Sequence, residues 1–279
     1  MTPVFRFAPS PNGRLHLGHA YSALLNAALA RRLQGRFLLR MEDIDTTRCT
    51  EALARGIIED LAWLGLTWEE PVRVQSHHGD DYARALASLQ SRSLVYPCFC
   101  SRREVEEASA RRDPDGAPLY PGTCAYLAPE MVAARIAAGE SHSWRLRMDK
   151  ALAAVAPSLH YRRFALYAME EETVTADPAR WGDAVIARKD IATSYHLSVV
   201  TDDALQSVSH VVRGADLEAA TCLHVLLQAL LGLPTPLYHH HALLLAPEGD
   251  KLAKSKGGET LADLRARGVS SGQVRAMLS

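Results

Sequence analysis

The sequence lacks the features that would place it in a membrane or in a secretory pathway. No apolar run approaches the roughly 20 residues that a helix needs to span a bilayer. The first residues show no basic segment followed by an apolar one, so no secretory signal is recognisable. Its five cysteines are odd in number, which favours free thiols or metal ligands over a disulfide framework. We therefore expect a cytoplasmic protein with no membrane partner.

An excess of charge of either sign is also lacking. The chain has 31 Lys and Arg against 32 Asp and Glu, which gives a formal net charge of −1. This balance neither supports nor excludes a nucleic-acid partner, because a basic face can still form locally. A hydrophobic fraction of 48% and a charged fraction of 23% are ordinary for a globular enzyme. With 279 residues, the chain is long enough for one large domain or two small ones.

The segment from residue 6 to residue 19 is the most informative part of the chain. Val4 to Phe7 alternates apolar and polar residues and predicts a short strand. Two prolines and a glycine then force a loop, and a run rich in alanine and leucine predicts a helix. His16, Gly18 and His19 stand at the entrance of that helix. Unpaired N–H groups and the positive end of the dipole make such an entrance suitable for phosphate.

A second strand and a cluster of acids follow. Residues 36–41 predict a buried strand that completes a β-α-β unit, and residues 51–64 predict an amphipathic helix. Glu42, Asp43 and Asp45 come directly after the strand. Ligands collect at the carboxyl ends of parallel strands, so these acids are well placed for function. For Asp45 we expect a solvated turn before the helix.

The rest of the chain predicts an interrupted α/β domain. Three short β-rich runs at 181–187, 195–200 and 208–212 restore the pattern of a core sheet. Asp216 is the expected N-cap of a helix at 217–231, and two short helices are expected at the end of the chain. The expected divisions are a first half of the catalytic domain at 1–75, a connective insertion at 76–185, a second half at 186–235, and a loop with a helical segment at 236–279.

Two short motifs give this pattern a family resemblance. His16-Leu-Gly-His19 resembles the HIGH motif of class I aminoacyl-tRNA synthetases, and the whole block from Arg6 resembles their glutamyl-specific branch. The resemblance implies a Rossmann-type α/β catalytic domain. It also implies an inserted zinc-bearing connective subdomain and a short helical C-terminal segment.

Lys251-Leu-Ala-Lys-Ser255 resembles the second class I motif, KMSKS. Charge builds on the phosphates as pyrophosphate leaves ATP, and ammonium groups on a loop can stabilise it. Lys254 aligns with the second lysine of the motif, Ala253 stands where the family often has serine, and Lys256 offers an alternative register. A basic surface loop is the alternative interpretation of these lysines, but their pairing with the histidine motif favours the functional one.

The resemblance implies a role for each of these motifs in binding ATP, which arrives with Mg²⁺. The catalytic residues would be His16, His19 and Lys254. Gly18 and Lys251 would join them around the nucleotide.

It also implies a pocket for L-glutamate. Glu42 would accept from the α-ammonium group, Arg6 and Tyr195 would bind the side-chain carboxylate, and Arg213 would bind the α-carboxylate. An arginine fork suits a carboxylate, and its charge is fixed. Val199 is a departure, because glutamyl enzymes often have asparagine there. The remaining lining residues would be Phe7, Ala8, Pro9 and Ser10.

Three cysteines suggest a structural metal site. Cys98, Cys100 and Cys124 offer three thiolates, and a tetrahedral Zn²⁺ needs a fourth ligand. His142 is the chemically ordinary candidate, whereas the resemblance points to Tyr120. Three buried thiols without a metal are the alternative.

The acceptor is implied by a narrower resemblance. The segment 120–124, Val199 and the end of the chain shortly after the lysine motif resemble the glutamyl-queuosine tRNA(Asp) synthetases, a branch without an anticodon-reading domain. This implies activation of glutamate with ATP and without tRNA, then transfer to queuosine at the wobble position of tRNA(Asp), by a monomer. The alternatives are a minimal glutamyl-tRNA synthetase that charges the tRNA 3′ end, and a non-catalytic tRNA-binding module.

Overall fold

Two β-sheets organise the computed structural model, which describes residues 2–166, 169–244 and 259–278. The strands are β1 (Val4–Phe7), β2 (Arg36–Met41), β3 (Glu69–Val74), β4 (Val95–Cys98), β5 (Ser143–Leu146), β6 (Leu159–Phe164), β7 (Glu171–Ala176), β8 (Val185–Ala187), β9 (His210–Gly214) and β10 (Leu237–His241). The helices are α1 (Leu17–Arg32), α2 (Glu51–Trp63), α3 (Gly79–Ser91), α4 (Arg102–Ala108), α5 (Pro129–Ala137), α6 (Met148–Ala153), α7 (Tyr195–Leu205), α8 (Glu218–Leu231), α9 (Leu261–Ala266) and α10 (Ser271–Met277).

The large sheet has the strand order β3-β2-β1-β9-β10-β6-β7. All neighbours pair in parallel except β6 and β7, which form an antiparallel hairpin. Helices α1, α2 and α8 lie between successive parallel strands, as crossover connections require. The chain runs outward from β1 through β2 to β3, and in the other direction from β9 to β10. The boundary between β1 and β9 is therefore a topological switch point, where open α/β sheets bind ligands.

The structure confirms the β-α-β unit that is predicted at the start of the chain. The predicted strands at 4–7 and 36–41 form residue for residue, and the helix between them begins at Leu17. The helix expected at 51–64 ends at Trp63, and Gly65 follows with a φ of +70°, a left-handed conformation that glycine adopts without strain. The two expected C-terminal helices are α9 and α10.

The segment 76–185 contributes to both sheets. Its strands β4 and β5 form a small antiparallel sheet with β8. Its hairpin of β6 and β7 instead extends the large sheet, where Arg163 pairs in register with Tyr238 of β10. The expected division of the chain into four parts stays a prediction.

The strand predicted at 195–200 is wrong, because these residues form the start of α7. Ser194 caps this helix by accepting from the Leu197 N–H at 3.4 Å. Val199 and Val200 suggested a strand because β-branched residues favour one. However, a helix that is buried on most sides loses the polar face that gives helices their period.

Smaller differences concern the ends of three elements. The run at 181–187 is a strand only from Val185, and the strand that the sequence also predicts at 239–245 begins two residues earlier, at Leu237. Helix α8 begins at Glu218 without a side-chain cap. Asp216 is therefore not its N-cap, and lies instead in the 3-10 turn that precedes it.

Candidate active site

A cavity of about 540 Å³ opens at the carboxyl ends of β1, β9 and β10, beside the first turn of α1. It brings together all the residues predicted for ATP and glutamate that the structure describes. These are Arg6, Phe7, Ala8, Pro9, Ser10, His16, Gly18, His19, Glu42, Tyr195 and Arg213. The predicted Lys251 and Lys254, with Ala253 and Lys256, lie outside the described residues.

The two histidines of the first motif cap α1 reciprocally. His16 Nδ1 accepts from the Gly18 N–H at 3.1 Å, and His19 Nδ1 accepts from the His16 N–H at 3.2 Å. A neutral imidazole that accepts at Nδ1 carries its hydrogen on Nε2. Each ring therefore carries its hydrogen on Nε2, and the ring centroids are 3.8 Å apart. Paired donors at a helix N-terminus suit the oxygens of a phosphate chain.

Gly18 lies close to the His16 ring. A Cβ atom on this residue would come within 3.0 Å of His16 Cε1. A larger residue would press on the ring that caps the helix, so glycine keeps the imidazole in place.

Arg6 is held by a buried carboxylate. Its Nε and Nη2 atoms lie 3.1 and 3.5 Å from the two carboxylate oxygens of Asp203. Arg40 donates to the same carboxylate at 2.8 Å and pairs with Glu42 at 3.1 Å. Burial alone would raise the pKa of Asp203, but the charges of Arg6 and Arg40 lower it. The pKa of Glu42 is raised by burial, against the opposing charges of Arg40 and Arg6.

The carboxylate next to Asp203 serves the framework. Asp202 is fully buried and accepts from Arg73 at 2.7 Å, Gln75 at 2.7 Å and the Tyr82 hydroxyl at 3.0 Å. These contacts join α7 to β3 and α3. Sequence reasoning missed both acids, because aspartate is almost never fully buried unless it is paired, and their arginine partners are distant along the chain.

Arg213 is buried among neutral partners. It is 5% exposed, and it donates to Thr221 Oγ1 at 2.6 Å, to His224 Nδ1 at 3.2 Å and to the Tyr195 hydroxyl at 3.3 Å. None of the ion pairs found within the described ranges includes this arginine. A buried charge is stable only when it is paired. A ligand anion in the cavity would provide the pair.

Ten further residues line the cavity and were not assigned to it from the sequence. They include Tyr21 of α1, Asp216 after β9, and His241 and Leu243 at the end of β10. The Asp216 and Leu243 side chains lie close to the Gly214 backbone, because a Cβ on Gly214 would lie 2.5 Å from Asp216 Oδ1 and 2.9 Å from Leu243 Cδ2. A strand end that is followed by a small residue and an acid was the available signal for Asp216.

Two other expectations concern residues away from the cavity. Asp45 does lie beside a turn, but the expected solvation is wrong, because it is 8% exposed and accepts from Thr47 and Arg48 at 2.7 and 2.8 Å. It also pairs with Arg188 at 3.2 Å. Val199 is 1% exposed and packs within the core cluster that includes α7 and α8.

The three predicted cysteines converge. The sulfurs of Cys98, Cys100 and Cys124 lie within 4.8 Å of one another, and the last two are 3.5 Å apart. Sulfurs around a tetrahedral zinc lie about 3.8 Å apart, so the set fits such an ion. The Tyr120 hydroxyl is 3.5 Å from Cys100 Sγ. His142 is outside the set of ligand atoms found among the described residues, and its Nδ1 lies 3.1 Å from the Glu140 carbonyl oxygen.

Comparison with known proteins places this cavity in a family context. A model of the catalytic domain of class I tRNA synthetases (E and Q) matches residues 4–274. The "Glutamyl-Q tRNA(Asp) synthetase" of Rhodobacter capsulatus is 45% identical over 278 residues, which are 99% of each chain. "Glutamate--tRNA ligase 2" of Nitrosococcus oceani is 40% identical over 94% of this chain and 56% of its own.

A solved structure agrees with this assignment of the fold. The glutamate tRNA ligase of Elizabethkingia meningosepticum, in complex with its amino acid, superposes with a TM-score of 0.75 at 26% identity. The match covers 96% of this chain and 53% of that one, so the chain spans about half of that enzyme. Among the described helices, none has the length and apolar character needed to cross a membrane.

Proposed function

The chain belongs to the family of class I tRNA synthetases (E and Q), which are ligases, and from this premise we propose that it transfers glutamate to queuosine in tRNA(Asp). Glutamate is first activated with ATP, without tRNA. The observation that carries the proposal is the single cavity that joins the histidine pair of α1 to Glu42, Arg6 and Arg213. The queuosine acceptor is supported by the relatives that carry this activity in their names.

Glutamate binding follows from the charges in the cavity wall. The Glu42 carboxylate accepts from the α-ammonium group of the substrate. Arg6 binds the side-chain carboxylate with the Tyr195 hydroxyl, and Arg213 binds the α-carboxylate. Arginine suits both sites because its fork donates two parallel hydrogen bonds to a carboxylate.

The activation step is an in-line displacement at the α-phosphate of ATP. An oxygen of the glutamate α-carboxylate forms a bond to phosphorus, and the bond to the pyrophosphate oxygen breaks. No general base is needed, because the nucleophile is already ionised at neutral pH. The Nε2–H groups of His16 and His19 stabilise charge on the phosphates, and Lys251 and Lys254 are proposed to assist them. Mg²⁺ bound to ATP shields the negative charge of the phosphate chain.

The transfer step uses the glutamyl-adenylate as the donor. A hydroxyl of the cyclopentene-diol of queuosine attacks the activated carbonyl carbon. The bond to the phosphate oxygen breaks, AMP leaves, and the hydroxyl proton is released. The product is an ester of glutamate on the modified base.

The first test is ATP–pyrophosphate exchange. We expect exchange that depends on glutamate and needs no tRNA. His19→Ala is the matched variant, and we expect it to lower the exchange rate because it removes one of two donors to the phosphates. Exchange that appears only after tRNA is added would favour a minimal glutamyl-tRNA synthetase. No exchange under either condition would favour a non-catalytic tRNA-binding module.

The second test identifies the acceptor. Labelled glutamate is offered with tRNA(Asp) that carries queuosine, with tRNA(Asp) that lacks it, and with tRNA(Glu). We expect label only on the first. Label on tRNA(Glu) would overturn the proposed acceptor in favour of the activity named for the relative from Nitrosococcus oceani.

We also propose one structural Zn²⁺ per chain, bound by Cys98, Cys100, Cys124 and Tyr120. When bound, the ion ties the loop after β4 to the segment that contains Cys124 and Tyr120. We expect about one zinc per chain in the unaltered protein and in His142→Ala, and much less in Cys98→Ser. Elemental analysis of the purified proteins measures this. Zinc-free unaltered protein, or loss of zinc in His142→Ala alone, would contradict the assignment.

A further inference from the structure

Arg213, His224 and His196 form a chain of hydrogen bonds, and the guanidinium group determines which atom donates and which accepts at each step. A guanidinium group has N–H donors and no acceptor. Arg213 Nη1 lies 3.2 Å from His224 Nδ1, so this nitrogen must accept. The hydrogen of a neutral His224 ring is then on Nε2. That atom lies 3.2 Å from His196 Nδ1, which accepts in turn.

His224 is separated from the cavity by the arginine that it contacts. It is 1% exposed, and it does not belong to the residues that line the cavity, whereas Arg213 and Tyr195 do. Burial lowers the pKa of His224 well below its ordinary value, and the charge of Arg213 lowers it further. Burial and Arg213 also lower the pKa of His196, to about 4. Both rings are therefore neutral at physiological pH.

We propose that His224 is a positioning residue for Arg213, and that His196 maintains the tautomer that this role requires. A neutral acceptor orients the guanidinium group without neutralising it. A carboxylate in the same place would take the charge that the cavity offers to a ligand. The inference rests on the proposed function in one respect, namely that the ligand anion is a carboxylate of glutamate.

The kinetic test compares substitutions of His224. In His224→Leu the acceptor is lost while the volume is roughly kept, so Arg213 loses its alignment. We expect the KM for glutamate in ATP–pyrophosphate exchange to rise about ten- to hundredfold. The KM for ATP should stay within twofold. His224→Gln restores an acceptor oxygen, and should return the KM for glutamate to within a few-fold of the unaltered value.

His210 provides the matched control. It is also a buried histidine, but its ring stacks on Phe5, with ring centroids 4.7 Å apart, and its Nδ1 hydrogen-bonds to the Ser209 hydroxyl rather than to Arg213. We expect His210→Leu to leave the KM for glutamate unchanged. The proposal is overturned if His224→Leu leaves this KM unchanged, if His210→Leu raises it equally, or if His224→Gln does not restore it.

A spectroscopic test does not depend on activity. Nitrogen-15 NMR of the histidine rings distinguishes the two neutral tautomers, and His224→Gln identifies the signal by its disappearance. We expect His224 to be neutral, with hydrogen on Nε2, between pH 6 and 8. A hydrogen on Nδ1 would overturn the inference. If the unaltered protein shows no glutamate-dependent exchange, the proposed function fails, and the tautomer still decides whether His224 accepts from Arg213.

Discussion

Two arginines in the wall of one cavity are buried alike but compensated differently. Arg6 on β1 is 4% exposed and Arg213 on β9 is 5% exposed, and their strands are neighbours in the sheet. Arg6 pairs with the Asp203 carboxylate at 3.1 Å. The partners of Arg213 in the described part of the chain are a tyrosine, a threonine and two histidines. The two side chains are buried to the same extent. They differ in the charge of their partners, which is negative for Arg6 and neutral for Arg213.

The difference separates two tasks. A guanidinium group with a buried counterion is fixed in place, and removal of either partner destabilises the fold because it leaves a buried charge unpaired. A guanidinium group among neutral acceptors is oriented equally well, but its charge remains available to a ligand. We therefore expect Arg213 to serve binding at little benefit to stability, and Arg6 to serve both.

The largest expected effect concerns Arg213. Arg213→Met removes a desolvated partner of the ligand carboxylate, so kcat/KM for glutamate should fall by about a hundredfold or more. The free energy of unfolding should stay unchanged or rise, because an uncompensated buried charge is removed. Exchange kinetics and urea denaturation measure the two quantities. A loss of more than about 2 kcal/mol of stability would show that Arg213 has a protein counterion, and would end the contrast.

Arg6→Met should behave differently. It leaves Asp203 with only one arginine, so we expect a loss of about 3 kcal/mol in the free energy of unfolding. The double variant with Asp203→Asn should recover part of this loss, because the unpaired charge is also removed. Urea denaturation of the three proteins measures it. If the double variant is less stable than Arg6→Met, the loss does not come from an unpaired carboxylate.

The contrast between the arginines was beyond the reach of the sequence. Local signals predict the first β-α-β unit, and the family resemblance predicts a pocket for Arg6, Glu42, Tyr195 and Arg213, which line one cavity. Their roles in binding glutamate stay predictions. The counterion of Arg6 was missed because Asp203 is 197 residues away along the chain. A pattern of neighbouring residues cannot show a contact between residues that are so far apart in the sequence.

The region around Arg213 shows a second limit of what the sequence can predict. Residues 195–200 were predicted as a strand, so Tyr195 was placed at a strand end although it begins α7. The neutral partners Thr221 and His224 come from α8, whose apolar run gave no signal for a polar site. Tertiary packing decides both points. The roles of Lys251 and Lys254 stay predictions.

As the pH falls, the histidines around Arg213 should lower the free energy of unfolding first, and the carboxylate that pairs with Arg6 should lower it only at more acidic pH. The pKa of His196 is lowered to about 4 and that of His240 to about 3, in both cases by burial and then by Arg213. Unfolded histidine has a pKa near 6.5. Below that pH the unfolded chain binds protons that the folded chain does not. The free energy of unfolding should therefore fall as the pH falls from about 6.5 towards 4, by about 1.4 kcal/mol per pH unit for each such histidine.

Asp203, the carboxylate that pairs with Arg6, responds in a lower pH range. The pKa of Asp203 is lowered, so its contribution is lost only as the pH falls below the ordinary aspartate value of about 3.9. His196→Gln should make the decline between pH 6.5 and 4 less steep. Urea denaturation at several pH values measures the slope. An unchanged slope would mean that His196 does not titrate as a buried neutral ring.

The smallest expected effect belongs to an arginine pair outside the cavity. Arg36 lies 2.5 Å from Glu69, which is closer than Arg6 lies to Asp203, but their side chains are 43% and 45% exposed. Water and salt screen such a pair, so Arg36→Gln should change the free energy of unfolding by less than about 0.5 kcal/mol. Denaturation at low and high salt measures it. An effect as large as that of Arg6→Met would mean that distance, rather than burial, decides what an arginine pair contributes, and the contrast between Arg6 and Arg213 would lose its physical basis.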